Sequence, residues 1–463
     1  MKYCIEQLQG VAFVPRNLTR LLLFALPLLV YRLALDWSYQ YVVYALYAYT
    51  GFESQSTSFS LLLSWSLLLI STPLAWVAFD NAKEKLSYIL LFLLYLMSFV
   101  PFTSMVGFGV ISIEHLICNC VFWLLLFCLT LCPLGKPKRF LFLRSERAIL
   151  GETEIELLAI LLMAVVLYIS GRYTHFRLNF SLSNVYDLRA EASAFQLPTI
   201  LSYLYAWSQT VNAVLISYFM VKRRYGWAVF CVVVQLLSFG IDGSKTVLFL
   251  AIAAVAVGFL PRLRLRNINV WLMAVLTVLT IGCILLYTMF SSIYPISLFV
   301  RRTLFLPVEI GRKYFDFFTT HTPDYYRQSF LRLFGAQSPY ETLPRMIAHV
   351  YYNVESHMNN GLLSDAVANL GYIGVFIGPM IYAVVFRALD LVSERVDPRI
   401  HITVAVYSTV MMINSFLFPI LLTHGLFVTI LLLLLIGQER EKVMPVISWK
   451  ERPKGHLCIA EKG

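Results

Sequence analysis

The chain of 463 residues is 59% hydrophobic and only 14% charged, and its formal net charge is +11. In soluble domains about a quarter of the residues are charged, so this composition excludes an ordinary soluble globular protein. The apolar runs are continuous rather than alternating, which excludes a membrane β-barrel and predicts an all-α polytopic membrane protein.

Apolar runs recur along the chain, and most are long enough to cross a hydrocarbon core of about 30 Å as a helix. No small-residue cleavage site follows the first run, so we expect that span to be retained rather than removed as a signal peptide. The whole chain, residues 1–463, is predicted to be a single integral membrane domain with twelve spans, at 21–35, 59–79, 87–108, 113–132, 155–171, 198–220, 227–241, 246–260, 270–290, 367–388, 401–419 and 422–437.

The basic residues are unevenly divided between the two sides of the predicted membrane. With the N-terminus in the cytoplasm, the cytoplasmic segments carry 25 of the 37 Lys and Arg but 14 of the 26 Asp and Glu, which places the whole excess of +11 inside. This is what the positive-inside rule requires, and it predicts that both termini are cytoplasmic. The basic charge therefore reports membrane topology and does not indicate nucleic-acid binding.

Two predicted outer segments, 171–198 and 291–364, are much longer than the other connections. Segment 291–364 is rich in Tyr, Phe, Leu and Pro, so we expect it to be ordered, and ordered loops of this length are usually functional. Within it, residues 296–318 predict an amphipathic element broken at Pro307, with an aromatic end suited to the membrane interface. Residues 342–357 predict a second short helix, and 359–361 (NNG) predict a turn.

The outer segments also carry cations that oppose the topological bias. Arg pairs are suited to gripping phosphate oxygens, which suggests a site for an anionic ligand. The alternative is ion pairing with nearby carboxylates and snorkelling to lipid phosphates, which is favoured for any single Arg. Only the two adjacent arginines, Arg301 and Arg302, favour the ligand site over this alternative. The outer cations are Arg172, Arg177, Arg189, Lys245, Arg301, Arg302, Arg312, Lys313, Arg327, Arg332 and Arg345.

A tight turn at residues 240–246 (GIDGSKT) separates the seventh and eighth spans. The backbone N–H groups of Gly243 and Ser244 could face an anion, with Lys245 adding charge. The alternative is a simple turn with a snorkelling lysine. The spacing differs from that of a Walker A loop and the turn faces away from cytoplasmic nucleotide, which excludes ATP binding.

The segment 355–374 (ESHMNNGLLSDAVANLGYIG) supplies three candidate general bases, Glu355, His357 and Asp365. Asp365 and Asn369 share a helix face at a spacing of four. The alternatives are an interfacial loop histidine for His357 and a helix N-cap for Asp365. No nucleophile elbow is present, no run of His and carboxylate has metal-ligand spacing, and the eight cysteines give no zinc pattern, so neither a metal nor a cofactor is predicted.

The order and spacing of these motifs resemble the bacterial oligosaccharide repeat-unit polymerases, the Wzy-type O-antigen polymerases. The resemblance covers roughly residues 165–390 by motif, and one departure is Lys245, where the family pattern leads us to expect Arg. It is carried by residues 185–191 (VYDLRAE), 243–246 (GSKT), Arg301, Arg302, Pro307, 314–318 (YFDFF), Asn360, Gly361, Asp365, Asn369, Gly371 and Gly374.

The resemblance implies a GT-C-like membrane fold and a metal-independent glycosyltransferase. Undecaprenyl-pyrophosphate-linked oligosaccharide would be both donor and acceptor, at the periplasmic face of the inner membrane. The base would be Asp365, Glu355 or His357, and Tyr351 and Tyr352 could stack on sugars. The pyrophosphate and substrate would be bound by Arg301, Arg302, Lys245, Arg189, Arg172, Asn360 and Tyr314.

Two rival functions remain open. An O-antigen ligase would use the same donor with lipid A core as acceptor, and the sequence barely separates the two. A lipid-linked oligosaccharide flippase would place polar residues within its spans, whereas the predicted spans here are nearly charge-free. The expected partners are the lipid bilayer and a chain-length-regulating membrane protein, without nucleic acid.

Overall fold

The computed structural model describes residues 18–81, 85–132, 150–178, 188, 191–192, 194–195, 197–260 and 268–436, and regular structure in these ranges is helical, without strands. In chain order the helices are α1 (Leu18–Ser38), α2 (Ser58–Asn81), α3 (Leu86–Gly107), α4 (Ile113–Leu131), α5 (Glu152–Ile169), α6 (Thr199–Val221), α7 (Tyr225–Asp242), α8 (Lys245–Gly258), α9 (Ile268–Phe290), α10 (Leu306–Phe318), α11 (Leu343–Tyr352), α12 (Leu363–Leu370), α13 (Gly374–Ser393), α14 (Pro398–Asn414), α15 (Leu417–Leu422) and α16 (Leu426–Leu435). Short helical turns extend or join them at Tyr39–Tyr44, Ala45–Tyr47, Ala48–Thr50, Ser170–Thr174, Ile293–Ile296, Ser297–Phe305, Phe330–Phe334 and Gly371–Ile373.

Eight helices in the described part of the chain are long and apolar enough to cross a membrane: Leu22–Thr50, Ser58–Asp80, Leu86–Gly107, Ile113–Leu131, Glu152–Thr174, Tyr225–Asp242, Ile268–Phe290 and Leu363–Ser393. The prediction of an all-α polytopic membrane protein is confirmed. The other four predicted spans also fall on helices. Helix α6 is continuous, but polar residues such as Gln209 and Asn212 interrupt its apolar sequence. Helices α8, α14 and α16 are short, with 14, 17 and 10 residues. The count of twelve spans stays a prediction.

Hydrogen bonds between connecting segments show which connections lie at the same end of the helix bundle. At one end, Gln55 N donates to Phe108 O at 2.8 Å, and Arg312 Nη2 donates to Glu53 Oε1 at 3.2 Å. At the opposite end, Leu150 N donates to Leu435 O at 3.2 Å. Each contact joins segments that the predicted span order places on the same side. We call the end that carries residues 291–362 the loop end.

Helix α3 forms the centre of the bundle. In its most apolar 18-residue window 94% of the residues are buried, against 22% for α2 and 28% for α9, whose surfaces are therefore open to lipid. Aromatic rings pack around α3. Phe24 lies 4.9 Å from Phe79, and Phe79 lies 5.4 Å from Phe92, between ring centroids. Burial on all sides explains why α3 is apolar all round.

A fully buried arginine, Arg32, joins the first three helices near the loop end. Its Nε donates to Asp36 Oδ1 at 2.8 Å, its Nη1 to Thr103 Oγ1 at 3.0 Å and its Nη2 to Ser64 Oγ at 2.5 Å. A charge at this depth is costly unless it is paired and hydrogen-bonded. These contacts provide that pairing, so Arg32 fixes the relative positions of α1, α2 and α3.

Segment 291–364 is folded onto the loop end. The predicted amphipathic element is present as a π-helical run, Ser297–Phe305, that continues directly into α10. Pro307 lies in the first turn of α10, directly after the π-helical run, so it marks the change of helix type rather than a break. The predicted second helix is α11. Between them, the fully buried Asp324 accepts hydrogen bonds from Gln328 N at 2.9 Å and Ser338 Oγ at 2.5 Å, which fixes the connection.

Candidate functional site

A buried ion-pair cluster lies at the loop end on α10. Glu309, Arg312 and Lys313 share one helix face at spacings of three and four. Glu309 is fully buried and Arg312 forks onto it, with Nε 3.1 Å from Oε2 and Nη2 2.8 Å from Oε1. Lys313 Nζ lies 3.5 Å from Glu309 Oε1. We call Glu309, Arg312, Lys313 and Glu53 the Glu309 cluster. One buried carboxylate thus holds two cations in place.

The Glu309 cluster also fastens α10 to the segment that follows α1. Arg312 Nη2 donates to Gly51 O at 3.3 Å and to Glu53 Oε1 at 3.2 Å. Gly51 has φ +97°, and a Cβ there would lie 3.0 Å from Tyr352 Oη and 3.1 Å from Glu309 Oε1. Glycine is therefore needed for both the backbone conformation and the close approach. Three separate segments meet at this point.

Electrostatics keep Arg312 charged. Burial alone would lower the pKa of Arg312. The hydrogen bond and the negative charge of Glu309 have the larger effect in the opposite direction, so the net result is a pKa raised above its ordinary value. Burial raises the pKa of the neighbouring Asp316, and the charges of Arg312 and Lys313 act against that rise. A guanidinium that is fixed and always charged is suited to stabilising an anion without reorganisation.

Aromatic rings lie beside the cations. The Arg301 guanidinium lies 4.0 Å from the ring centroid of Tyr47, and Lys313 Nζ lies 5.1 Å from that of Tyr351. Arg301 Nε also donates to Ser297 Oγ at 3.2 Å, one helical turn earlier. Arg302 is exposed. The loop end therefore combines cations with aromatic faces, which suits a ligand that carries both phosphate and sugar rings.

The predicted cations fall on two groups of helices. Arg301 and Arg302 lie on the π-helical run that packs on α9 and α10, and thus close along the chain to the Glu309 cluster. Lys245 begins α8, which packs on α6, α7 and α14. Arg172 is exposed in the turn after α5, with its guanidinium 5.6 Å from the Tyr173 ring centroid. Arg189 lies outside the described residues.

The turn before Lys245 uses its own backbone donors. Gly243 N donates to Phe239 O at 2.9 Å, and Ser244 N donates to Asp242 Oδ1 at 2.8 Å. Gly243 has φ +63°, so it ends α7 in the left-handed conformation that favours glycine. The two N–H groups predicted to face an anion are therefore occupied. This geometry favours the alternative of a simple turn between helices.

Asp365 lies in the first turn of α12 and is 4% exposed. Its Oδ1 accepts from Asn369 Nδ2 and its Oδ2 from the backbone N of Leu417, both at 2.8 Å. The shared helix face of Asp365 and Asn369 is confirmed. The N-cap position is occupied by Leu362, so the N-cap reading of Asp365 is wrong. Instead, Oδ1 forms a hydrogen bond within α12, and Oδ2 holds α12 to the start of α15.

The other two candidate bases lie in solvent. The side chain of Glu355 is 80% exposed, with Arg345 Nε 3.9 Å away, and His357 is exposed. Such positions provide little desolvation to tune a catalytic group. Their role as bases stays a prediction.

Two predicted substrate-binding residues are buried. Asn360 Nδ2 donates to Pro307 O at 2.8 Å and to Ser364 Oγ at 3.0 Å. Tyr314 is fully buried, and its Oη donates to Met358 O at 2.9 Å. Both side chains hold the segment before α12 against α10. Contact with substrate stays a prediction for them, whereas the partly buried Tyr351 presents an aromatic face beside Lys313.

Sequence reasoning counted Arg312 and Lys313 among the outer cations without selecting them. The sequence did contain a signal for them, because Glu309 precedes Arg312 by three residues and Lys313 by four, which places all three on one helix face. It also passed over His424, a lone histidine in a short connection, for which no sequence pattern gave a signal.

No family model, curated protein or solved structure matches this chain. Within the described residues, no three His, Cys, Asp or Glu side chains are grouped so that they could hold a metal ion.

Proposed function

We propose that the chain is a membrane glycosyltransferase with a GT-C-like fold that polymerises undecaprenyl-pyrophosphate-linked oligosaccharide repeat units into O-antigen or a related surface polysaccharide. The observation that carries the proposal is the ordered loop end, where fixed cations and aromatic rings lie at the ends of apolar helices. The resemblance of the motifs to Wzy-type polymerases supports the same function. The second candidate is an O-antigen ligase, which would use the same donor.

The chemistry of the donor explains the need for such a site. When the glycosidic bond forms, negative charge develops on the departing lipid pyrophosphate, and preorganised cations stabilise it. Within the described residues, the hydrogen bonds of Arg312 use Nε and Nη2, so Nη1 is the donor that we assign to a pyrophosphate oxygen. Arg301 and Arg302 extend the cationic surface. Tyr47 and Tyr351 supply faces for sugar rings.

The proposal fixes an orientation. The loop end would face the periplasm, with both termini in the cytoplasm and the helices in the bacterial inner membrane. Polyprenyl tails of donor and acceptor would lie along apolar helices that are open to lipid, such as α2 and α9. The lipid-linked donor is already activated, so the reaction needs no nucleotide on that side. A chain-length-regulating membrane protein is the expected protein partner.

A deletion strain of the source bacterium tests the function through the surface-polysaccharide ladder on a gel. Single repeat units on a capped core support the polymerase. Polymer that accumulates on the lipid carrier, with none on the core, would establish the ligase instead. Single units retained at the inner leaflet would establish a flippase and overturn the proposal. Complementation with the wild-type chain is the control in each case.

Arg302→Ala is expected to abolish polymerisation while the protein stays in the membrane at normal abundance. Arg302 is exposed, so its truncation removes charge without emptying a packed site. The matched control is Arg332→Ala, an exposed cation of the same segment. The ladder and a membrane immunoblot are the measurements. A normal ladder from well-expressed Arg302→Ala would remove Arg302 from the site.

Asp365→Ala is also expected to abolish polymerisation, but it removes the acceptor of Leu417 N and Asn369 Nδ2 as well. The thermal midpoint of the purified variant therefore has to be measured beside the ladder. Loss of polymer at an unchanged midpoint would support a chemical role for Asp365. Loss of both would assign Asp365 to holding α12 in place.

A further inference from the structure

His424 occupies a fixed position at the loop end, in the turn between α15 and α16. Its backbone oxygen accepts hydrogen bonds from Thr210 Oγ1 at 2.7 Å and from Tyr407 Oη. The next residue, Gly425, has φ +80°, and a Cβ there would lie 3.3 Å from the Cα of Trp207. Helices α6 and α14 thus hold this turn, and they leave the imidazole partly buried.

The turn lies between the two groups of predicted site residues. On one side, Leu417 N bonds Asp365, and the ring centroid of Phe416 lies 5.7 Å from that of Tyr314 on α10. On the other side, Thr210 follows Gln209, whose Nε2 donates to Asp242 Oδ2 at 2.7 Å, in the turn that precedes Lys245. The segment that carries His424 is therefore joined by direct contacts to the 360–369 motif and, through α6, to the turn that precedes Lys245.

The imidazole retains a nitrogen that can accept a proton. Nε2 lies 3.3 Å from Ser415 Oγ, and Nδ1 makes no hydrogen bond to any part of the chain that the structure describes. If Nε2–H donates to Ser415, the lone pair of Nδ1 is left for a substrate proton. By contrast, both oxygens of Asp365 are occupied. Glu355 and His357 are exposed.

We propose that His424 accepts the proton of the acceptor hydroxyl, a role that rests on the proposed function. In that step the acceptor oxygen bonds to the anomeric carbon of the donor. The bond from that carbon to the pyrophosphate oxygen breaks, and its electron pair leaves with the pyrophosphate. The hydroxyl proton moves to the imidazole, which later releases it to water.

Burial lowers the pKa of His424 below its ordinary value of 6.5, so the neutral, proton-accepting form predominates at neutral pH. The rate is therefore expected to be full above that lowered pKa and to fall as the pH drops through it. The titratable groups that these contacts connect to the turn are Tyr407 on α14, Asp365 on α12 and, through Gln209, Asp242 at the end of α7.

The experiment compares purified full-length variants in lipid vesicles that contain a lipid-pyrophosphate-linked repeat unit. His424→Gln is expected to lower the rate on the order of 100-fold or more and to remove the acidic limb of the pH profile. His424→Ala is expected to regain part of the rate with added imidazole. The control His349→Gln, at an exposed position on α11, is expected to behave as wild type.

Three outcomes overturn the role of His424. They are a wild-type rate and profile in folded His424→Gln, a lowered rate that keeps the acidic limb, and no response of His424→Ala to imidazole. If His424→Gln does not fold, Ser415→Ala, which removes only the contact at Nε2, takes its place, and an unchanged profile contradicts the proposal. Failure of the wild type to extend the repeat unit would instead contradict the proposed function itself.

Discussion

Arg312→Met is expected to lower the free energy of unfolding by about 3–5 kcal/mol, the usual result of removing one partner of a buried ion pair. Methionine keeps the apolar stem but leaves the Glu309 carboxylate fully buried without its fork. Lys313, with Nζ 3.5 Å from Glu309, offsets only part of that loss. The thermal midpoint of the purified protein in detergent, followed by tryptophan fluorescence, measures the change.

The double variant Glu309→Gln/Arg312→Met is the control for this effect. It removes both charges, so we expect it to regain much of the stability that Arg312→Met loses, because no uncompensated charge stays buried. A double variant as unstable as the sum of the two single variants would show that Glu309 and Arg312 do not act as a pair.

The same variants separate stability from function. If Arg312 binds the pyrophosphate, the double variant is expected to be folded and still unable to polymerise. A stable double variant that makes a normal ladder would leave Arg312 as a purely structural residue and move the anion site to Arg301 and Arg302.

The membrane helices could be predicted from sequence because their signal is local. A run of apolar residues of helical length indicates a buried or lipid-facing helix whatever its neighbours are. The amphipathic pattern of α10 is local too, and so is the alternation of basic and less basic connections. The number of spans cannot be obtained from such local signals, since α8 and α16 are too short to be recognised as membrane helices by length alone.

The site could be predicted only where its signal was adjacent in sequence. Arg301 and Arg302 were selected because two neighbouring cations oppose the charge bias of an outer segment. The partners of Arg312 at Gly51 and Glu53 lie 261 and 259 residues away, beyond the reach of any spacing rule. Asp365 is similar. Whether it caps a helix, acts as a base or holds another segment depends on Leu417, 52 residues further on.

Gly361→Ala tests the packing that holds this region together. A Cβ at Gly361 would overlap the carbonyl oxygens of Met412 and Ser415. Backbone atoms cannot rotate aside as a side chain can, so α12 has to move away from the end of α14. Overpacking of this kind destabilises by about 1–3 kcal/mol, and by more where backbone blocks the new atom. A lowered thermal midpoint is the expected result.

Gly282→Ala on α9 is the matched control, because a Cβ there meets nothing within 4 Å. Alanine is favoured over glycine inside a helix by roughly 0.5–1 kcal/mol, so this variant should keep or slightly raise the midpoint. The sequence predicted a turn at Gly361, which any residue tolerant of turns could fill, whereas the structure requires a close backbone approach that only glycine allows. Equal midpoints for Gly361→Ala and Gly282→Ala would contradict that approach and, with it, the position of Asp365 against Leu417.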